Sequence, residues 1–147
     1  MKRVRTLILC CAMSLFVVSV SGQDLQINNI FEKYGKLKGS TMVLLSGEAI
    51  RDYRLSSYRS ITLKYAAPVS DDIQQCLDHD KRQARKIKEV IRNGVIRSGY
   101  YQLPDEGKKI NRYILFKIGE DQQATLIYME GDLKSEELIN KLFIKNK

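Results

Sequence analysis

Five short segments of the chain have the apolar patterns of β-strands. Segment 58–65 alternates apolar and polar residues, as expected where successive side chains point to opposite faces of a sheet, and three later segments are strand-like runs bounded by polar stretches. The fifth is a continuous apolar run after Gly39, which predicts a buried strand. Short polar stretches separate the last three segments, so we predict consecutive antiparallel hairpins there. The segments are 40–46, 58–65, 95–103, 110–118 and 124–131.

Three further segments carry apolar residues at helical spacing. Segment 25–34 has them three or four residues apart and precedes Gly35, which suits the end of a short helix. Segment 47–55 predicts a second short helix. Segment 135–145 begins at Ser135, which can cap the first turn, and its apolar side consists of Leu138, Ile139, Leu142 and Phe143.

The longest predicted helix covers about residues 71–93. Ser70 and Gly94 stand where a capping residue and a helix-ending glycine are expected. One acid, Asp80, falls on the apolar stripe of this helix, and the sequence leaves its surroundings open. The stripe consists of Ile73, Cys76, Leu77, Ala84, Ile87 and Ile91.

These elements follow one another in the order αβαβαβββα, which predicts an α+β fold. We expect a mostly antiparallel sheet of about five strands, with helices packed mainly on one face. No repeat or long linker divides the chain, so residues 23–147 are predicted to form a single domain.

The first 22 residues have the pattern of a secretory signal peptide. Three basic residues come first, a 14-residue apolar stretch ends at Val20, and small residues precede Gln23. The stretch is shorter than the roughly 20 residues of a membrane-spanning helix. A short uncleaved anchor and, through Cys10 and Cys11, a lipoprotein are the alternatives. Cleavage after Gly22 would leave an exported chain without a stable membrane span.

A formal charge of +8 raises the question of nucleic-acid binding, because residues 76–94 contain six Lys and Arg residues. On the predicted helix, the acids lie mainly in the first half and the cations in the second, as the helix dipole favours. A phosphate-binding helix would carry a larger excess of cations. We interpret the cations as the solvated side of a core helix and predict no nucleic-acid partner.

The sequence offers little support for catalysis. His79 lies three residues from Cys76, but the cysteine falls on the apolar stripe and two aspartates flank the histidine, which disfavours a reactive thiolate. No P-loop, dinucleotide-binding or nucleophile-elbow motif occurs. We predict no cofactor, no metal and no catalytic residue. A hydrolase with an unrecognised active site is the alternative function.

The last three predicted strands carry apolar residues on both sides, whereas a sheet with one solvated face should alternate more cleanly. The second face therefore has two interpretations. Either the N-terminal helix covers it, or it is the surface that binds an unknown envelope protein or a small ligand. The candidate residues of such a surface are Tyr100, Tyr113 and Leu115.

Four stretches carry a resemblance to a known group: "FEKYGKLKGSTMVLLS", "SGYYQL", "RYILFKI" and "LIYMEGDLKSEELINKL". On these the chain is similar to small exported Bacteroidetes proteins classed as a domain of unknown function. The resemblance implies an α+β fold and a location in the periplasm or envelope of a Gram-negative cell, and it assigns no catalytic or binding residue. We therefore expect an exported, non-enzymatic binding or interaction domain, whose oligomeric state the sequence does not give.

Overall fold

The computed structural model describes residues 25–105, 107 and 109–140. The predicted signal peptide and the last part of the predicted C-terminal helix lie outside the described residues. The elements are α1 (Ile27–Tyr34), β1 (Thr41–Ser46), α2 (Glu48–Arg51), β2 (Leu55–Lys64), α3 (Val69–Asp80), a 3₁₀ turn (Lys81–Gln83), β3 (Arg85–Arg92), β4 (Val95–Gln102), β5 (Asn111–Ile118), β6 (Gln123–Gly131) and α4 (Ser135–Ile139).

The described strands form one sheet in the order β1-β2-β6-β5-β4-β3, and all neighbouring pairs are antiparallel. Strands β3 to β6 form a meander, and the β1–β2 hairpin joins it alongside β6. Strand β1 forms one edge of the sheet and β3 the other. Helix α3 connects β2, next to the first edge, to β3. The α+β class is confirmed, as are the five predicted strands, but the described sheet has six strands.

Helices α1 and α3 cover one face of the sheet, which we call the helix face. The apolar residues of α1 recur three and four positions apart, so they lie on one side and are buried. The Arg59 guanidinium lies 5.1 Å from the Phe31 ring centroid and 4.8 Å from that of Tyr128. It also donates a hydrogen bond of 2.9 Å to Asn28 Oδ1, so β2 and α1 are joined by polar as well as apolar contacts.

We call the opposite face the second face. It carries a smaller core, which is covered by the chain that follows β6, residues 132–140, here called the C-terminal segment. Leu133 and Leu138 pack there against Tyr100, Tyr113 and Met129. The Tyr113 hydroxyl donates a hydrogen bond of 2.5 Å to the Leu133 carbonyl. The rings of Tyr100 and Tyr113 meet edge to face with their centroids 6.1 Å apart. Since α1 lies on the helix face, the prediction that the N-terminal helix covers this second face is wrong.

The predicted helix over 71–93 is wrong beyond Asp80. Helix α3 ends at that residue, and Arg85–Arg92 form the edge strand β3. Asn93 and Gly94 adopt φ angles of 55° and 76° and turn β3 into β4. Asn-Gly is the strongest short hairpin signal because both central residues of a type I′ turn need positive φ. Gly94 is therefore a turn residue and not the end of a helix.

The two predicted capping serines do not cap their helices. Ser70 and Ser135 each lie inside the first turn, after Val69 and at the first helical position respectively. The residues that precede the two helices, Pro68 and Lys134, make no side-chain capping bond. Acidic residues in both first turns still favour the positive end of the helix dipole.

Candidate functional site

Asp80, the acid on the predicted apolar stripe, is buried at the end of α3. Its two carboxylate oxygens accept hydrogen bonds from the backbone N–H groups of Gln26 and Ile27, each at 2.8 Å. These N–H groups stand at the start of α1, where the helix itself supplies no acceptor. The negative charge also complements the positive end of the helix dipole. Asp80 therefore fixes the start of α1 to the end of α3.

A groove of about 670 Å³ lies between α1 and α3. Asp72 of α3 joins its two walls by accepting hydrogen bonds from the Tyr34 hydroxyl and, at 3.0 Å, from the Lys33 ammonium group of α1. These bonds lower the pKa of Asp72. The lining combines both signs of charge with side-chain amides, among them those of Gln26 and Gln75. Such a mixture does not favour one class of ligand over another.

Cys76 and His79 both line this groove, but their surroundings do not activate the thiol. Burial, together with the charges of Asp80 and Asp72, raises the pKa of Cys76 to about 11. The thiol therefore stays protonated near neutral pH and is a poor nucleophile. The His79 Nδ1 atom lies 3.1 Å from Asp80 Oδ1, and that carboxylate already binds the start of α1. This geometry fits a structural cysteine better than a catalytic pair.

Within residues 25–105, 107 and 109–140, no three His, Cys, Asp or Glu side chains come together in a way that could hold a metal ion. Among the helices of these same residues, none combines the length and the apolar character that crossing a membrane requires.

Four of the six cations in the basic stretch 76–94 lie on the edge strand β3, and the other two, Lys81 and Arg82, lie in the 3₁₀ turn. Glu89 of this strand is nearly buried and accepts hydrogen bonds from the Tyr101 hydroxyl at 2.5 Å and the Lys81 ammonium group at 3.0 Å. Lys86 adds an ion pair of 3.1 Å. Burial alone would raise the pKa of Glu89, but these three partners outweigh it and lower the pKa to about 2. The exposed cations of β3 are Arg85, Lys86, Lys88 and Arg92.

The predicted partner surface contains two residues that are not open to solvent. Tyr100 is 2% exposed and Tyr113 0% exposed, because the C-terminal segment lies over them. Leu115 is partly buried and packs against the same cluster. The three residues do lie on one face of the sheet, as the alternation predicts, but the two tyrosines do not form an open patch. Whether this face binds a partner stays a prediction.

Strand β1 forms the other edge of the sheet and is apolar and exposed. Its sequence, TMVLLS, contains no charge and no proline, and its pairing with β2 is regular throughout. Leu44 is 60% exposed, and Val43 and Leu45 are 37% and 39% exposed. An edge strand has one row of backbone N–H and C=O groups that the sheet does not pair, so another strand can add to it.

The two edges differ in the features that prevent such pairing. Strand β3 has four exposed cations and two irregularities in its register with β4, between Lys86 and Lys88 and between Val90 and Ile91. Charges and bulges are the usual protections of a strand edge, and β1 has neither. The sequence prediction of a buried strand at 40–46 missed this site, because an apolar run suits an interior strand and an unprotected edge strand equally well.

Comparisons with known proteins place the chain in a family. No curated protein matches it significantly. The crystal structure of PA94, a protein of unknown function from Pseudomonas aeruginosa, resembles it with 14% sequence identity and a TM-score of 0.35, over 76% of this chain and 80% of that one. A likeness at that level says nothing about function. A family of unknown function, DUF6108, matches residues 14–142, which is most of the chain. The chain therefore belongs to the family of unknown function DUF6108.

Proposed function

We propose that this protein is an exported, non-enzymatic interaction domain of the cell envelope that binds a protein along the edge strand β1. The observation that supports this proposal is the exposed, uncharged and regular edge formed by TMVLLS. The export part of the proposal rests on the sequence pattern of the first 22 residues.

Strand addition needs two features, and β1 offers both. Main-chain hydrogen bonds along an open edge supply affinity, and side chains that alternate between the faces supply specificity. Leu44 lies opposite Arg59, which stacks on Phe31 of α1, so Leu44 points to the helix face. Val43 and Leu45 point to the second face. A strand added to β1 therefore meets apolar side chains on both faces of the sheet.

The second face supports partner binding less directly than β1 does. A partner that reached Tyr100 or Tyr113 would have to displace Leu133 and Leu138, which pack over them. No described strand pairs with the outer edge of β1, and binding without rearrangement is the commoner case for preformed surfaces. We therefore place the binding site at the edge of the sheet and not at its tyrosine-bearing centre.

Capture from an envelope extract of the native cell tests this proposal. Tagged wild type is compared with Leu44→Lys, which places a charge in the middle of the edge strand. We expect wild type to retain at least one protein that the variant loses, because a lysine is costly to desolvate within a strand interface.

The matched control is Ile91→Lys, which makes the same kind of change on the other edge, where Ile91 is 52% exposed. It should retain the same proteins as wild type. Equal recovery by wild type and Leu44→Lys would contradict the proposed site. Recovery of the native protein only from the cytosolic fraction would contradict export.

A further inference from the structure

We infer that the protein that pairs with β1 is a second copy of this chain, joined through antiparallel pairing of the two β1 strands about a two-fold axis. This inference rests on the proposed function, since it names the occupant of the same edge. The two sheets would form one continuous sheet, with β1 and its copy at the centre.

The first reason is that β1 is compatible with itself in any register. Strand pairing is destabilised where like charges stand directly opposite each other. All six residues of TMVLLS are uncharged, so no register of a β1–β1 pair brings two charges together. Every position can therefore face its counterpart in the second copy without electrostatic cost.

The second reason lies in the charges that flank β1. Exposed Lys36 and Lys38 precede the strand, and exposed Glu48 follows it. In an antiparallel pair, the beginning of one strand lies opposite the end of the other. The two lysines of each copy would therefore stand near the glutamate of the other copy, whereas parallel pairing would bring the lysines of both copies together.

The third reason is the direction of the side chains. A two-fold axis perpendicular to the sheet keeps each face continuous, so residues on the helix face of one copy meet residues on the helix face of the other. Leu44 of each copy would then lose solvent on the helix face, and Val43 and Leu45 would do so on the second face. The same pairing therefore buries apolar side chains on both faces of the sheet.

The fourth reason is that the alternative pairing between copies, β1 to β3, is disfavoured. That pairing is head to tail and would leave free edges, which produces open chains of molecules. The exposed cations and the two irregularities of β3 oppose the addition of a strand there. Pairing of β1 with β1 instead uses up the unprotected edge of both copies and stops at a dimer.

A six-residue strand pair with its flanks is a small interface, so we expect a reversible dimer that forms with rising concentration and not a permanent one. Sedimentation equilibrium of the protein, purified after expression of the full chain, measures this over a range of concentrations. Hydrogen exchange on the same samples shows which backbone amides gain protection as the dimer forms.

We expect wild type to shift from monomer to dimer, and the β1 amides to gain protection with it. Leu44→Lys should raise the dissociation constant of the dimer about tenfold or more, because it puts two lysines near each other at the centre of the pair. Ile91→Lys should leave the constant unchanged. Thermal unfolding of all three proteins checks that the variants remain folded.

Three results would overturn the inference: a wild type that stays monomeric, a dimer that Leu44→Lys does not weaken, or a dimer that both variants weaken alike. The capture experiment separates these failures from failure of the proposed function. A monomeric wild type whose β1 captures a different envelope protein, in a manner that Leu44→Lys abolishes, would refute self-pairing and leave the proposed function standing. A monomeric wild type that captures nothing through Leu44 would refute both.

Discussion

Two carboxylates, those of Asp80 and Glu89, accept hydrogen bonds from groups that have no acceptor within the helices and strands. Asp80 accepts the first backbone N–H groups of α1, and Glu89 gathers Tyr101, Lys81 and Lys86 beside the edge strand β3. Asp80 is buried and the Glu89 side chain is nearly so, and a charge in such a place is tolerated only when its partners compensate for lost hydration. Asp80 thereby joins two helices that are distant in sequence, whereas Glu89 joins β3 to β4 and to the 3₁₀ turn that precedes β3.

Replacing Asp80 with alanine should lower the free energy of unfolding by about 2 kcal/mol, the upper range for loss of a helix cap. The reason is that two N–H groups at the start of α1, a buried one of Ile27 and a partly buried one of Gln26, lose their acceptors. Urea unfolding measures the change. Asp78→Ala is the matched control, because the Asp78 side chain is 60% exposed. A loss of stability as small as that of the control would contradict the capping role.

Glu89 should make stability depend on pH in the acidic range. Folding lowers its pKa from 4.5 to about 2, so its carboxylate stabilises the fold fully above pH 4.5. That contribution is lost as the pH falls from 4.5 through about 2, because the proton then binds the folded form as well. The unfolding free energy of wild type should therefore approach that of Glu89→Gln as the pH falls.

Urea unfolding at a series of pH values measures this convergence. Glu32→Gln serves as the control, since Glu32 is exposed on α1. Its difference from wild type should stay small and nearly constant over the same range. A constant difference between wild type and Glu89→Gln would show that the carboxylate does not carry the pH dependence.

At the scale of elements, the largest error of sequence reasoning was the continuation of α3 through residues 85–92. Ala84, Ile87 and Ile91 fit the helical stripe that begins with Ile73, so the apolar spacing alone allowed one long helix. The same residues also fit a strand, and the decisive local signal was the Asn93–Gly94 pair. A short apolar pattern fits a helix or a strand equally well. Here the pairing with β4 makes residues 85–92 a strand.

The turn between β3 and β4 leads to a prediction about stability. Gly94→Ala should lower the free energy of unfolding by about 1–2 kcal/mol, because Gly94 has a φ of 76°, where a Cβ atom is unfavourable. No atom lies within 4 Å of the added Cβ position, so the cost is conformational and not a clash. Urea unfolding measures it. Asn93→Gly should be nearly neutral, and an equal loss in both variants would contradict the type I′ turn.

At the scale of the whole molecule, the two faces of the sheet differ from each other, and so do its two edges. Its helix face is covered by α1 and α3, and the centre of its second face by the C-terminal segment. Its edge at β3 is charged and irregular, and its edge at β1 is apolar and regular. The asymmetry of the edges directs strand addition to one side and is the physical basis of both proposals.

The buried tyrosines show why the predicted partner surface could not be judged from the strands alone. Alternation correctly places Tyr113 and Leu115 on the face opposite the main core, because the side-chain period of a strand is local. Whether that face is open depends on where the C-terminal segment lies. Leu133 and Leu138 come after the last strand and cover it through contacts that no local pattern describes.

The sequence by itself determined the α+β class, five of the strands, the short helix α1 and, for four of those strands, which residues share a face. These features follow from spacing along the chain, since helix and strand periods are properties of neighbouring residues. Only the tertiary structure decided the order of the strands, and with it that TMVLLS lies at an edge and not in the interior. It also decided the partners of Asp80 and the burial of Tyr100 and Tyr113, because these depend on contacts between residues that are distant in sequence.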